Sequence, residues 1–130
     1  MFAAGFLGQN DAIHMWRDGM RVTCVDRDQD RLEEMRGLYP DDWLFLPGDA
    51  WASAADWRAQ DARWDVVSVD NFTGKIEPRV LDSLPLWCSL ARRLVTVTLG
   101  NGSGYVVPDG WRGWTMRRSP IASWLVLTRA

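Results

Sequence analysis

Five short apolar runs punctuate the chain, and three of them close on an acid: MFAAG (1–5), RVTCVD (21–26), WLFLPGD (43–49), WDVVSVDN (64–71) and LVTVTL (94–99). Segments of helical pattern lie between them. Asn10 or Asp11 can cap a helix running to about Gly19, with Ile13, Trp16 and Met20 spaced i, i+3, i+7. Asp28 can cap a second, in which Leu32, Met35 and Tyr39 share a face before Pro40 stops it. A weaker helical stretch covers about Ser53 to Ala62, and Pro78 suits the first turn of a fourth helix whose Leu81, Leu84, Cys88 and Ala91 share a face, with a bend at Pro85. A strand that runs parallel to its predecessor needs such a crossover, so this alternation predicts a mostly parallel sheet covered on both faces. After LVTVTL the alternation breaks. GWTMRR (113–118) and ASWLVLTR (122–129) read as an antiparallel hairpin around Ser119-Pro120, placed at the C-terminal edge of the sheet.

A chain of 130 residues with 47% hydrophobic and 25% charged residues has the composition and length of a single globular domain, read as spanning residues 1–130. It contains no apolar run near the roughly 18 residues that a spanning helix needs, and its start lacks the basic n-region and long apolar h-region of a secretory signal. It is therefore expected to be a soluble, cytoplasmic protein without a membrane partner. Cys24 and Cys88 sit in apolar segments without C-x-x-C spacing, and His14 is the single histidine, which predicts buried core thiols and no metal site. Nine tryptophans lie mostly beside periodic apolar residues, as packing residues do. Charge is unevenly divided: residues 1–70 hold 14 acidic and 7 basic residues, and residues 71–130 hold 3 and 8. Lys75, Arg79, Arg92, Arg93, Arg112, Arg117 and Arg118 offer an acceptor surface for an anionic or nucleic-acid substrate, or simply a solvated face.

Ligands of mostly parallel sheets bind beyond the carboxyl ends of the strands. Two glycine pairs compete for the ligand loop. A nucleotide-type cofactor requires a glycine turn after the first strand, a helix opening beneath it, and an acid at the tip of the next strand to accept from ribose hydroxyls. Gly5-Phe6-Leu7-Gly8 meets all three conditions, because a helix is predicted from about Asp11 and Asp26 ends the next strand. The better-spelled Gly100-Asn101-Gly102-Ser103-Gly104 meets neither of the last two and is read as a flexible loop.

At this point AAGFLGQNDAIHMWRDGMRVTCVDRD, PGDA and VVSVDN together resemble the class I methyltransferases that use S-adenosylmethionine (SAM). The resemblance covers nearly the whole chain and implies a Rossmann-like α/β fold, a three-layer α/β/α sandwich. It implies that Gly5, Phe6, Leu7 and Gly8 form the loop under the methionine and ribose portions of SAM. It places Asp26 on the ribose hydroxyls, Arg27 beside the adenine, and Asp49 on the adenine amino group, with Ala50 or Trp51 supplying a backbone donor or apolar cover. Asp70 falls where the family places its motif IV, close to the transferred methyl, and Asn71 and Phe72 follow it as groups that orient the acceptor. The D-N-F-T-G stretch lacks the prolines of the signature used by nucleic-acid amino methyltransferases, which argues against base N-methylation.

Three functions are consistent with these residues. The first is a minimal SAM-dependent methyltransferase with an unidentified acceptor, its site completed by a homodimer mate or partner protein. The second is a non-catalytic SAM-binding or interaction module, because Ala3 stands where the family usually has an acid. The third is a small NAD-binding protein, although residues 5–8 lack the G-x-G-x-x-G fingerprint.

Overall fold

The computed structural model describes residues 2–5, 19–39, 41, 43–70, 77–100, 103–117, 119–120 and 122–130. Strands β1 (Phe2–Gly5), β2 (Thr23–Asp26), β3 (Leu44–Pro47), β4 (Trp64–Asp70), β5 (Ala91–Gly100), β6 (Trp111–Arg117) and β7 (Ala122–Arg129) form one mixed sheet ordered β3-β2-β1-β4-β5-β7-β6. The first five run parallel, and β7 is antiparallel to both β5 and β6. The expected terminal hairpin is present, with one difference. Its second strand lies inside the sheet between β5 and β6, so β6 alone forms that edge.

Helices α1 (Gln29–Arg36), α2 (Ala50–Ala59), α3 (Glu77–Asp82) and α4 (Leu84–Leu90) connect the strands. Asp28 caps α1 by accepting from the Arg31 N–H at 3.2 Å, as its sequence position predicts. The helix expected over 53–62 begins three residues earlier, because Asp49 caps it by accepting from the Ala52 N–H at 2.9 Å. The single bent helix expected from Pro78 is two helices. Ser83 separates them, and Pro85 occupies the first turn of α4, where its missing N–H costs no helical bond. The residues of the predicted helix before Gly19, with His14, fall outside the described residues.

Strand register fixes which side chains share a face. Cys24 and Phe45 point one way and join Leu32, Met35, Tyr39 and Trp43 in a cluster beneath α1, in which Tyr39 and Trp43 stack at 4.9 Å. Val25, Val67, Val69, Val95, Val97, Leu125 and Leu127 point the other way and meet Ala54 of α2 and Leu84, Trp87 and Cys88 of α4 in the larger core. Trp87, Leu84 and Leu90 are fully buried, and truncating a side chain of this kind typically costs about 2–5 kcal/mol. Both cysteines are buried, free thiols, as expected. Trp43, Trp87 and Trp111 are core residues, which agrees with the packing role read from the sequence.

No described helix is long and apolar enough to cross a membrane.

Candidate functional site

Parallel pairing aligns the strand ends. Gly5 of β1 stands opposite Asp70 of β4, Ala4 stands opposite Val25 so that Asp26 lies at the next step, and Asp26 stands opposite Pro47 of β3. Gly5, Asp26, the Pro47–Asp49 turn and Asp70 therefore line one carboxyl edge, although 65 residues separate the first from the last. That is the edge at which ligands of such sheets bind.

Each acid is held differently. Asp26 is half-buried and accepts the Asp28 N–H at 2.9 Å, which pins its carboxylate at the strand tip while Asp28 does the helix capping. Beyond β3, Gly48 donates its N–H to the Asp26 carbonyl at 3.0 Å with φ +152, a conformation that favours glycine, and this turn delivers Asp49 beside β2. Asp49 carries two bonds: Oδ1 accepts from the Ala52 N–H, and Oδ2 accepts from Arg27. The Ala52 N–H, and next the Arg27 guanidinium, hold its carboxyl below the usual carboxylate range against a smaller opposing effect of burial. Asp70 is only 8% exposed and lies on the sheet face that also carries Thr98 of β5, itself buried.

Of the residues expected around a cofactor, Gly5, Asp26, Arg27, Asp49, Ala50 and Trp51 are brought to this corner together with Asp70. Phe6, Leu7 and Gly8 of the loop, and Asn71 and Phe72 after Asp70, lie outside the described residues. Trp51 is more committed than the sequence suggested. Its Nε1 donates to Ser83 Oγ at 2.9 Å, its ring meets Trp87 edge-on at 5.8 Å, and the Arg79 guanidinium lies 4.0 Å from its centroid. Ser83 and Arg79 were not foreseen as a support for this corner. No local signal could reveal it, because Trp51 and Ser83 are 32 positions apart.

The described basic residues of the sheet fall at both of its ends. Arg92 and Arg93 start β5, and Arg92 lies 3.9 Å from Asp65 near the start of β4. Arg112 pairs with Thr128, which pairs with Leu94, so it too belongs to the amino end of β5. Arg117 reaches the carboxyl end through Ser123 and Leu99. Lys75 and Arg118 lie outside the described residues. Among the described residues, no cluster of histidine, cysteine and carboxylate could hold a metal ion.

No protein-family model matches the sequence, and no curated protein matches it. Solved structures do match. A proposed methylase from Haemophilus influenzae superposes with a TM-score of 0.71 at 15% identity, over 98% of this chain and 78% of its own. A proposed methyltransferase from Escherichia coli gives 0.69 at 15% identity, over 99% and 77%. Magnesium protoporphyrin IX methyltransferase from Synechocystis, solved with bound SAM, gives 0.66 at 14% identity, over 99% and 69%. The chain has the fold of the class I SAM-dependent methyltransferases.

Proposed function

We propose that this chain is a single-domain, cytoplasmic methyltransferase, a Rossmann-like three-layer α/β/α sandwich that binds SAM along the carboxyl edge and methylates an acceptor presented beside Asp70. One observation carries the reading: the register of β3, β2, β1 and β4 sets the acids Asp49, Asp26 and Asp70, with Gly5 between the last two, in a row along the ligand edge of this fold. The donor set suits the ligand. Asp26 is a fixed, half-exposed acceptor for two ribose hydroxyls, and Gly5 removes a side chain where the loop of Gly5, Phe6, Leu7 and Gly8 passes beneath the ribose and methionine portions. Asp49 faces the adenine amino group, flanked by Arg27, Ala50 and Trp51.

Bound SAM supplies an electrophilic methyl on a sulfonium, so the protein's tasks are alignment, exclusion of water and management of one proton. In this reading Asp70, at the buried end of β4, accepts that proton from an amine or hydroxyl acceptor, and Asn71 and Phe72 orient it. An anionic or nucleic-acid acceptor meets Arg117 at this end of the sheet, and a homodimer mate or partner protein completes the acceptor side.

Calorimetric titration with SAM, S-adenosylhomocysteine and NAD, repeated on Asp26→Ala, tests the reading. The native protein is expected to bind the first two and to lose at least tenfold in affinity with Asp26→Ala. Binding of NAD alone, or of none of the three, would overturn it, and the latter result would leave the fold serving as an interaction module.

A further inference from the structure

We infer that Arg79 is a positioning residue for the adenosine end of this site, acting through Trp51 and Asp49, an inference that rests on the reading above. Asp49 begins α2, and its carboxylate is committed to the first turn of that helix through the Ala52 N–H. Trp51 belongs to the same turn and is held from the other side by the junction of α3 and α4. Its Nε1 donates to Ser83 Oγ, the Ser83 hydroxyl donates to the Arg79 carbonyl at 2.7 Å, and the Arg79 guanidinium covers its face. Its remaining edge abuts the fully buried Trp87. The first turn of α2 is thus clamped between the core and an arginine of α3.

Arg79 acts on Asp49 in two ways. Its contact with Trp51 fixes the turn from which the carboxylate projects. Its charge, a smaller influence than the Ala52 N–H or Arg27, also attracts the carboxylate toward this corner. A carboxylate held in place accepts a hydrogen bond from an amino group better than a mobile one does. The contact has a second consequence. The next described element after Asp70 is α3, so the helix leading away from the acceptor-side acid also steadies the residue facing the adenine.

The chemistry predicts which ligand atom feels the loss of Arg79. Only a ligand with the exocyclic amino group of adenine donates to Asp49. Titration of the full chain with S-adenosylhomocysteine and with its inosine counterpart, in which an oxo group replaces that amino group, separates the effects. Arg79→Met keeps the bulk of the side chain and removes its charge, and it is expected to weaken S-adenosylhomocysteine about threefold to tenfold, the range of a partly exposed cation–π contact plus a neighbouring charge. Binding of the inosine counterpart should barely change. Arg79→Lys should retain part of the affinity, and in an Asp49→Asn background Arg79→Met should add nothing further.

Equal affinity of native and Arg79→Met protein for S-adenosylhomocysteine would overturn the inference. So would an equal loss for both ligands accompanied by a lower Tm, because that is the signature of an arginine that merely supports the fold. A native protein that binds neither ligand overturns the functional reading itself, a result distinguishable from both.

Discussion

Asp28, two residues beyond Asp26, takes the capping duty that would otherwise compete for the strand-end carboxylate. Asp49 has no such deputy, and it serves both its helix and Arg27. This double use gives a pH signature. Because its folded-state pKa is depressed, its ionised form stabilises the native state above the ordinary carboxylate value of about 3.9, and that contribution is lost as pH falls through the lower, folded value. Asp49→Asn keeps the cap and removes the charge. Urea melts should therefore find the native protein more stable than Asp49→Asn at pH 7, with a smaller gap at pH 3; a gap unchanged between these pH values would contradict the assignment. The three acids were legible in the sequence because each closes an apolar run. Their partners were not, since the Arg27–Asp49 pair spans 22 positions and arises only when β2 and β3 lie side by side.

Element boundaries followed local chemistry where one signal dominated and departed from it where pairing or capping intervened. β4 occupies the run read from the sequence almost residue for residue, because the β-branched Val66, Val67 and Val69 dominate it. β5 begins at Ala91, ahead of its apolar run, because Ala91 pairs with Trp64 while Arg92 and Arg93 stay exposed. Apolarity alone gives no reason to extend a strand through two arginines. At the opposite edge, Arg36 donates to the Phe45 carbonyl, so a charged side chain occupies a backbone acceptor of the edge strand β3. Gly113 of β6 leaves no room for a side chain in the antiparallel pair. A Cβ there would approach Leu127 Cδ2 to 2.7 Å and Val107 Cγ2 to 2.8 Å, and Leu127 is fully buried. Gly113→Ala should destabilise the fold by about 1–3 kcal/mol, seen as a lower urea midpoint with an unchanged slope. A midpoint at or above the native value would show that Val107 and Leu127 move aside freely.

Across the whole molecule, the charge imbalance of the sequence becomes a spatial one. The sheet order gathers β3, β2, β1 and β4 from the acidic stretch on one side, and β5, β7 and β6 from the basic stretch on the other. The two cysteines report separately on these sides and on the two faces of the sheet. Cys24 lies under α1 at 1% exposure and Cys88 lies in the larger core at 3%, and burial pushes both thiols up to about 12. Neither should react with a thiol reagent at pH 7 except through opening of the fold, whereas both should react in urea. Excess S-adenosylhomocysteine should slow the native reaction in proportion to its binding. Rapid labelling of one thiol in native buffer would show that its face of the sheet opens independently. The interior position of β7 carries a consequence for synthesis. When residues 91–100 emerge from a ribosome, the strand that will flank them on one side, residues 122–129, has not yet emerged, and β6 emerges before the strand that joins it to the sheet. One long edge of the parallel sheet is thus left bare during translation, and chaperone capture or aggregation of nascent chains should be greatest in that interval.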